Sequence, residues 1–116
     1  PHGEYPGAFE TDENSTAAVD EEHDLSVYFQ GCLWGGRVPE VIDMMKELDR
    51  RTQDDLKRDV IAKWHDESQM NKFFSERRTD VKVLHPAFAF PEDFESQCQF
   101  EPKMVHVSKD NSKYHK

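Results

Sequence analysis

The amino-acid pattern predicts an α/β chain. Residues 25–34 form an apolar, aromatic, partly alternating run of the kind that makes a strand. After Gly35 and Gly36, apolar residues recur at three- and four-residue steps, which is the period of a helix. A second helical stretch is followed by two more short apolar runs, at 81–84 and 104–107, so the chain mixes strands with helices.

Taken in order, residues 1–22 are rich in Gly, Pro, Glu, Asp, Ser and Thr without periodicity and read as loop. The strand at 25–34 ends on the glycine pair, and Pro39 suits the first turn of a helix because its missing N–H is not needed there. Val38, Val41, Ile42, Met45 and Leu48 then predict a core-facing stripe, with Glu40, Asp43, Lys46 and Glu47 opposite, as far as Leu56. Val60, Ile61 and Ala62 lead to a second helix, with Asp66 as its cap and Gln69 completing a capping-box pattern. Met70, Phe73 and Phe74 supply its buried face. A short strand at 81–84 is stopped by Pro86, residues 88–100 are irregular, 104–107 form a last strand, and 109–116 are a basic tail. No internal repeat is visible.

With 116 residues the chain is at most one domain with a modest core. A net charge of −9 argues against a nucleic-acid partner, although most of the acid excess sits between Glu10 and Asp24. No apolar run reaches the ~20 residues of a membrane span. Cys32 and Cys98 are too few and too far apart for a disulfide framework. Asn14-Ser15-Thr16 is a glycosylation sequon that matters only in a secretory pathway.

Two blocks carry chemistry. Trp64-His65-Asp66-Glu67-Ser68, continued by Asn71-Lys72-Phe73, sets an aromatic plate, an imidazole and two carboxylates side by side. A sugar site needs these: an apolar face for a pyranose ring, and carboxylates to hold hydroxyls and stabilise positive charge at an anomeric carbon. Each residue has a plainer use: Glu67 as a first-turn glutamate favouring the helix dipole, Asp66 as a cap, Trp64 as core, His65 as a satisfied buried histidine. Consecutive positions project in different directions, so His65, Asp66 and Glu67 do not make a metal site. The other block, upstream, is Tyr28-Phe29-Gln30-Gly31-Cys32-Leu33-Trp34-Gly35-Gly36.

These two blocks, in this order and spacing, resemble glycosyltransferase family 6, which contains the histo-blood-group A and B transferases and the α-1,3-galactosyltransferases. The likeness is strongest over 24–86. Gln69 replaces the second histidine of the family's Trp-His-Asp-Glu-Ser-His-Leu-Asn-Lys-Tyr, Met70 its leucine and Phe73 its tyrosine. The resemblance implies a GT-A-type, Rossmann-like α/β fold, of which this chain is the carboxyl-terminal half. It also implies transfer, with retention, of galactose or N-acetylgalactosamine from a UDP-sugar in α-1,3 linkage to a galactoside-type glycan acceptor.

By the same resemblance Glu67 is the catalytic carboxylate, acting as nucleophile or as stabiliser of an oxocarbenium-like centre. Gln30, Gly31, Cys32 and Asp66 form the donor-sugar pocket, with Gln30 and Cys32 leaning toward galactose. Trp64, His65 and Glu10 contact the acceptor. Lys109 and Lys116 stand where the family clamps the donor diphosphate, although the family's arginine, with its planar fork, is missing from that tail. A solvated basic terminus is the plainer use of those lysines. His2 is a poor acceptor candidate, and Glu92 or Asp93 replaces an acceptor-contacting aspartate.

The uridine-contacting segment and the acidic diphosphate motif are not in this chain, which reads as a fragment inactive alone. Manganese, used by animal members, would be held by that upstream motif, so no metal ligand is expected here. A membrane connection would come only through a missing amino-terminal anchor, with the Golgi lumen expected in an animal and the cytoplasm in a bacterium. The rival expectation is a catalytically silent glycan-binding relative.

Overall fold

The computed structural model describes residues 7–88, 90–91, 100–107 and 112. Two compact units divide the chain, Pro1–Val81 and Lys82–Lys116. The first contains both α-helices, α1 at Val38–Lys57 and α2 at Asp66–Ser75.

Helix α1 starts where Pro39 and the apolar period place it, with Pro in the first turn and no side-chain cap at Arg37. It ends in a Schellman motif: the Val60 amide donates to the Asp55 carbonyl and the Asp59 amide to that of Leu56. Asp59 takes the left-handed conformation (φ 56°) that this motif usually gives to glycine.

The face that α1 buries is not the apolar stripe. Val38 is 69% exposed, and Ile42 and Met45 are exposed with it, while Met44, Arg51 and Asp55 are buried. The reason is what packs on the helix. The loop at 15–16 and helix α2 bring hydrogen-bonding groups, so the buried side is selected by polar pairing. The Asp55 carboxylate accepts from the Ser15 hydroxyl (2.7 Å), the Thr16 amide (2.7 Å), Gln69 Nε2 (3.3 Å) and Arg58 Nη2 (2.9 Å). Arg51 joins Glu47 on its own helix to Glu76 at the end of α2.

The acidic stretch before α1 has no helix or strand among its described residues, as expected of a loop, yet it is packed. Phe9, Val19 and Leu25 make a small apolar core with Tyr28 against it. The sequon is built into this packing: Ser15 is buried, and the Thr16 hydroxyl donates to the Arg51 carbonyl (3.2 Å).

Two of the expected strands do not form. Residues 25–34 run as coil and turn with no ladder partner, and so do 81–84, where Val83 and Leu84 are exposed. Strand identity requires a neighbour for the backbone groups, and for Phe29 a side chain takes that place. The Phe29 amide donates to Asn71 Oδ1 (2.8 Å), and Asn71 Nδ2 donates back to the Phe29 carbonyl (2.9 Å). In the second unit, β1 (Phe90–Pro91) pairs in parallel with β2 (Val105–His106), Phe90 opposite Val105. That ladder agrees with the run at 104–107 and is the only sheet among the described residues. The Rossmann-like sheet implied by the resemblance is not found among them.

Candidate active site

Glu67 lies in the first turn of α2, half-buried, and its carboxylate turns toward the aromatic segment upstream. One oxygen accepts from the Tyr28 hydroxyl, the other from the Gly31 amide at 2.8 Å. A Cβ added at Gly31 would lie 3.4 Å from Glu67 Oε2, an ordinary contact, and 3.3 Å from the Met70 methyl carbon, a slightly tighter one. Asn71, one helical turn on, donates to the Glu67 carbonyl (2.9 Å) as well as to Phe29. Helix and extended segment are thereby fastened at two levels, side chain to backbone in both directions.

Burial, then the hydrogen bond to Glu67 and the charge of its carboxylate, hold the Tyr28 phenol well above its ordinary 10.0. Tyr28 is therefore protonated at neutral pH and serves as a donor. A carboxylate offers about four acceptor positions, so these two donors leave capacity for further partners at the site.

The residues just before Glu67 form a strained turn. Trp64 (φ 57°) and His65 (φ 51°, ψ −117°) both have positive φ, a conformation that costs about 1–3 kcal/mol at a non-glycine position. Lys63 is fastened on both sides of its peptide unit. Its amide donates to Glu10 Oε2 (2.6 Å), and its carbonyl accepts from the Ser68 hydroxyl. The Glu10 carboxylate also accepts from the Thr11 (2.9 Å) and Asp12 (2.8 Å) amides. These bonds hold the turn in place, with Trp64 59% exposed and His65 and Asp66 exposed beside it.

Helix α2 begins at Asp66, but the expected capping box is absent. His65 is the N-cap residue, no side chain caps it, and Gln69 turns inward to Thr16 and Asp55. Gln30 and Cys32 are exposed and touch each other, Cys32 Sγ to Gln30 Oε1 at 3.4 Å.

The structure thus brings Glu67 and Gly31 into contact and sets Asp66, His65 and Trp64 on the same turn. Gln30 and Cys32 flank Gly31 in sequence. Glu10 meets the turn through Lys63. Lys109 and Lys116 lie outside the described residues. Among the described residues no three His, Cys, Asp or Glu side chains are placed to hold a metal ion. No helix among them is long and apolar enough to cross a membrane. Sequence reasoning missed Tyr28 and Asn71 as the partners that set Glu67. The four-residue spacing of Glu67 and Asn71 on one helix face was the available signal for Asn71.

A family model described as glycosyltransferase family 6 matches residues 5–116. Among curated proteins, the O-antigen biosynthesis glycosyltransferase WbnI of Escherichia coli is 31% identical over 68 residues, 59% of this chain and 28% of the relative. The histo-blood group ABO system transferase 2 of Rattus norvegicus is 32% identical over 81 residues, 70% of this chain and 24% of the relative. The chain spans about a quarter of the length of the curated relatives it matches.

Proposed function

The chain belongs to glycosyltransferase family 6, and on that premise we propose that it carries the catalytic carboxylate of a retaining hexosyltransferase with a GT-A-type domain. The observation that supports this most is the Glu67 carboxylate, fixed by Tyr28 and Gly31, with the exposed Trp64 on the turn that precedes it. The donor is a UDP-sugar, galactose or N-acetylgalactosamine, and the acceptor a galactoside-type glycan joined in α-1,3 linkage.

In the proposed reaction the bond from the sugar's anomeric carbon to the diphosphate oxygen breaks, and its electron pair leaves on UDP. Glu67 faces the positive charge that develops at that carbon, as nucleophile or as electrostatic stabiliser, where a preorganised carboxylate is most effective. The acceptor oxygen bonds to the same carbon on the face the leaving group vacates, and its proton passes to the departing diphosphate oxygen. Where Glu67 has bonded to that carbon as nucleophile, that bond breaks as the acceptor's forms and its electron pair returns to the carboxylate. Trp64 offers the stacking plate, His65 a hydrogen bond to the acceptor, and Asp66 a contact to donor hydroxyls. Gln30 and Cys32 border the donor pocket at the turn around Gly31. Glu10 serves the acceptor side by holding the Trp64 turn.

The test is incubation of the full-length protein that contains this chain with labelled UDP-galactose and UDP-N-acetylgalactosamine and a galactoside acceptor, with the product's anomeric configuration read by NMR. Transfer giving an α-linked product is expected. Inversion, or glycan binding with no transfer from any nucleotide sugar, would overturn the assignment, the latter in favour of a silent binding relative.

A further inference from the structure

The group that grips Glu67 is itself held from upstream. We propose that Tyr28 is the positioning residue of the Glu67 carboxylate and that Gly7 and Phe9 fix its ring, so that the segment preceding the acidic loop controls the reactivity of the site. This rests on the transferase assignment above. The Phe9 ring meets Tyr28 edge-on, with centroids 5.0 Å apart and planes at 86°. Phe9 is anchored in the small core with Val19 and Leu25. On Gly7, an added Cβ would fall 2.0 Å from Tyr28 Cγ, 2.3 Å from Cδ2 and 2.4 Å from Cβ. The backbone at 7 therefore lies directly against the tyrosine, and no side chain fits there.

A carboxylate on a glutamate turns easily about its last bond unless each oxygen is held. Here each oxygen has one donor, the Tyr28 hydroxyl on one and the Gly31 amide on the other. Both donors lie on one extended segment, which Asn71 fixes between them at Phe29. Arg78 supports the same segment, its guanidinium 5.4 Å from the Phe29 ring centroid and its Nε 3.5 Å from Asp24. Losing the hydroxyl frees one oxygen and lets the carboxylate swing. The phenol keeps its proton at neutral pH, so Tyr28 meets the carboxylate as a hydrogen-bond donor.

Tyr28→Phe keeps the ring and removes the donor. It should lower kcat about 10- to 100-fold, the usual cost of a misaimed catalytic group, and leave the donor KM within about twofold. Gly7→Ala should lower kcat in the same way, and the double variant should be no slower than Tyr28→Phe alone, because both act through one contact. Unchanged kcat in Tyr28→Phe, or multiplying losses in the double variant, would overturn the proposal. A second readout needs no turnover: in Glu67→Gln the Cζ resonance of Tyr28, followed at neutral pH by NMR of ring-labelled tyrosine, should shift as its hydroxyl loses the charged acceptor. An unmoved Tyr28 resonance shows that the pairing is absent and overturns the proposal whatever the kinetics. A full-length wild-type protein that transfers no sugar overturns the transferase assignment and the catalytic sense of this proposal, whereas the resonance separately decides the pairing.

Discussion

Replacing Asp55 by alanine tests the polar node that joins the loop at 15–16, helix α1 and helix α2, on which Glu67 rides. Asp55 is 1% exposed and accepts four hydrogen bonds. The Ser15 and Gln69 donors are themselves buried, so removing their acceptor leaves each unsatisfied at about 1–3 kcal/mol. The Thr16 amide loses its acceptor too, but Arg58 is half exposed and recovers water. The sum for Asp55→Ala is a loss of about 3–5 kcal/mol, in the range for breaking a buried charged group's partnerships. Asp55→Asn should cost only about 1–2 kcal/mol, because it keeps the shape and one acceptor oxygen. Gln69 Oε1, a buried oxygen with no hydrogen bond, can then accept from the new amide if the Gln69 amide turns over.

Both variants also remove the pH dependence that the Asp55 carboxyl gives the wild type. Burial resists ionisation of Asp55, but the Ser15 and Thr16 hydrogen bonds and the Arg58 charge outweigh it and hold the carboxyl below its ordinary 3.8. A lowered folded-state value means that the stabilisation is present above the unfolded-state value and is lost as pH falls through the folded one. Urea denaturation followed by circular dichroism, at neutral and at acid pH, reads both effects. A loss under ~1 kcal/mol for Asp55→Ala at neutral pH would refute the node.

Three further outcomes are expected. Met44→Ala should cost about 2–4 kcal/mol while its neighbour Met45→Ala stays within about 0.5 kcal/mol, because only Met44 is buried; denaturant midpoints decide it. Asn71→Ala should release the Phe29 amide, so that hydrogen exchange there accelerates relative to amides inside α1; unchanged protection would contradict the Asn71 clasp. The Glu47 carboxyl, hydrogen-bonded by Arg50 and Arg51, is pushed down to about 2, and carbon-detected NMR should find it ionised until near that pH. An ordinary titration of Glu47 would show that these pairs do not persist in solution.

Helix α1 was legible in position because Pro39 and the apolar period mark its start and course. Its buried face was not, because Arg51 and Asp55 are buried by partners distant in sequence, which hydrophobic periodicity does not register. The run at 25–34 was legible as extended chain but not as partnerless, since its hydrogen bonds go to Asn71 and Glu67 side chains on a helix. The meeting of Glu67 with Gly31 followed from the two motif blocks. Tyr28 stood in plain sight in the aromatic block, yet nothing in its spacing marks a hydroxyl aimed at a carboxylate. The turn at Trp64 and His65 was invisible, because positive φ at two bulky residues is disfavoured locally and is imposed by Glu10 and Ser68 from either side.

The central claim is that the Glu67 carboxylate acts at the reacting carbon of a nucleotide sugar. Its most direct test is the rate of sugar transfer by the full-length wild type and by its Glu67→Gln variant, compared at equal folding by circular dichroism. Wild-type turnover with a loss of at least about 100-fold in Glu67→Gln is predicted. Glu67→Gln transferring sugar at the wild-type rate would contradict it.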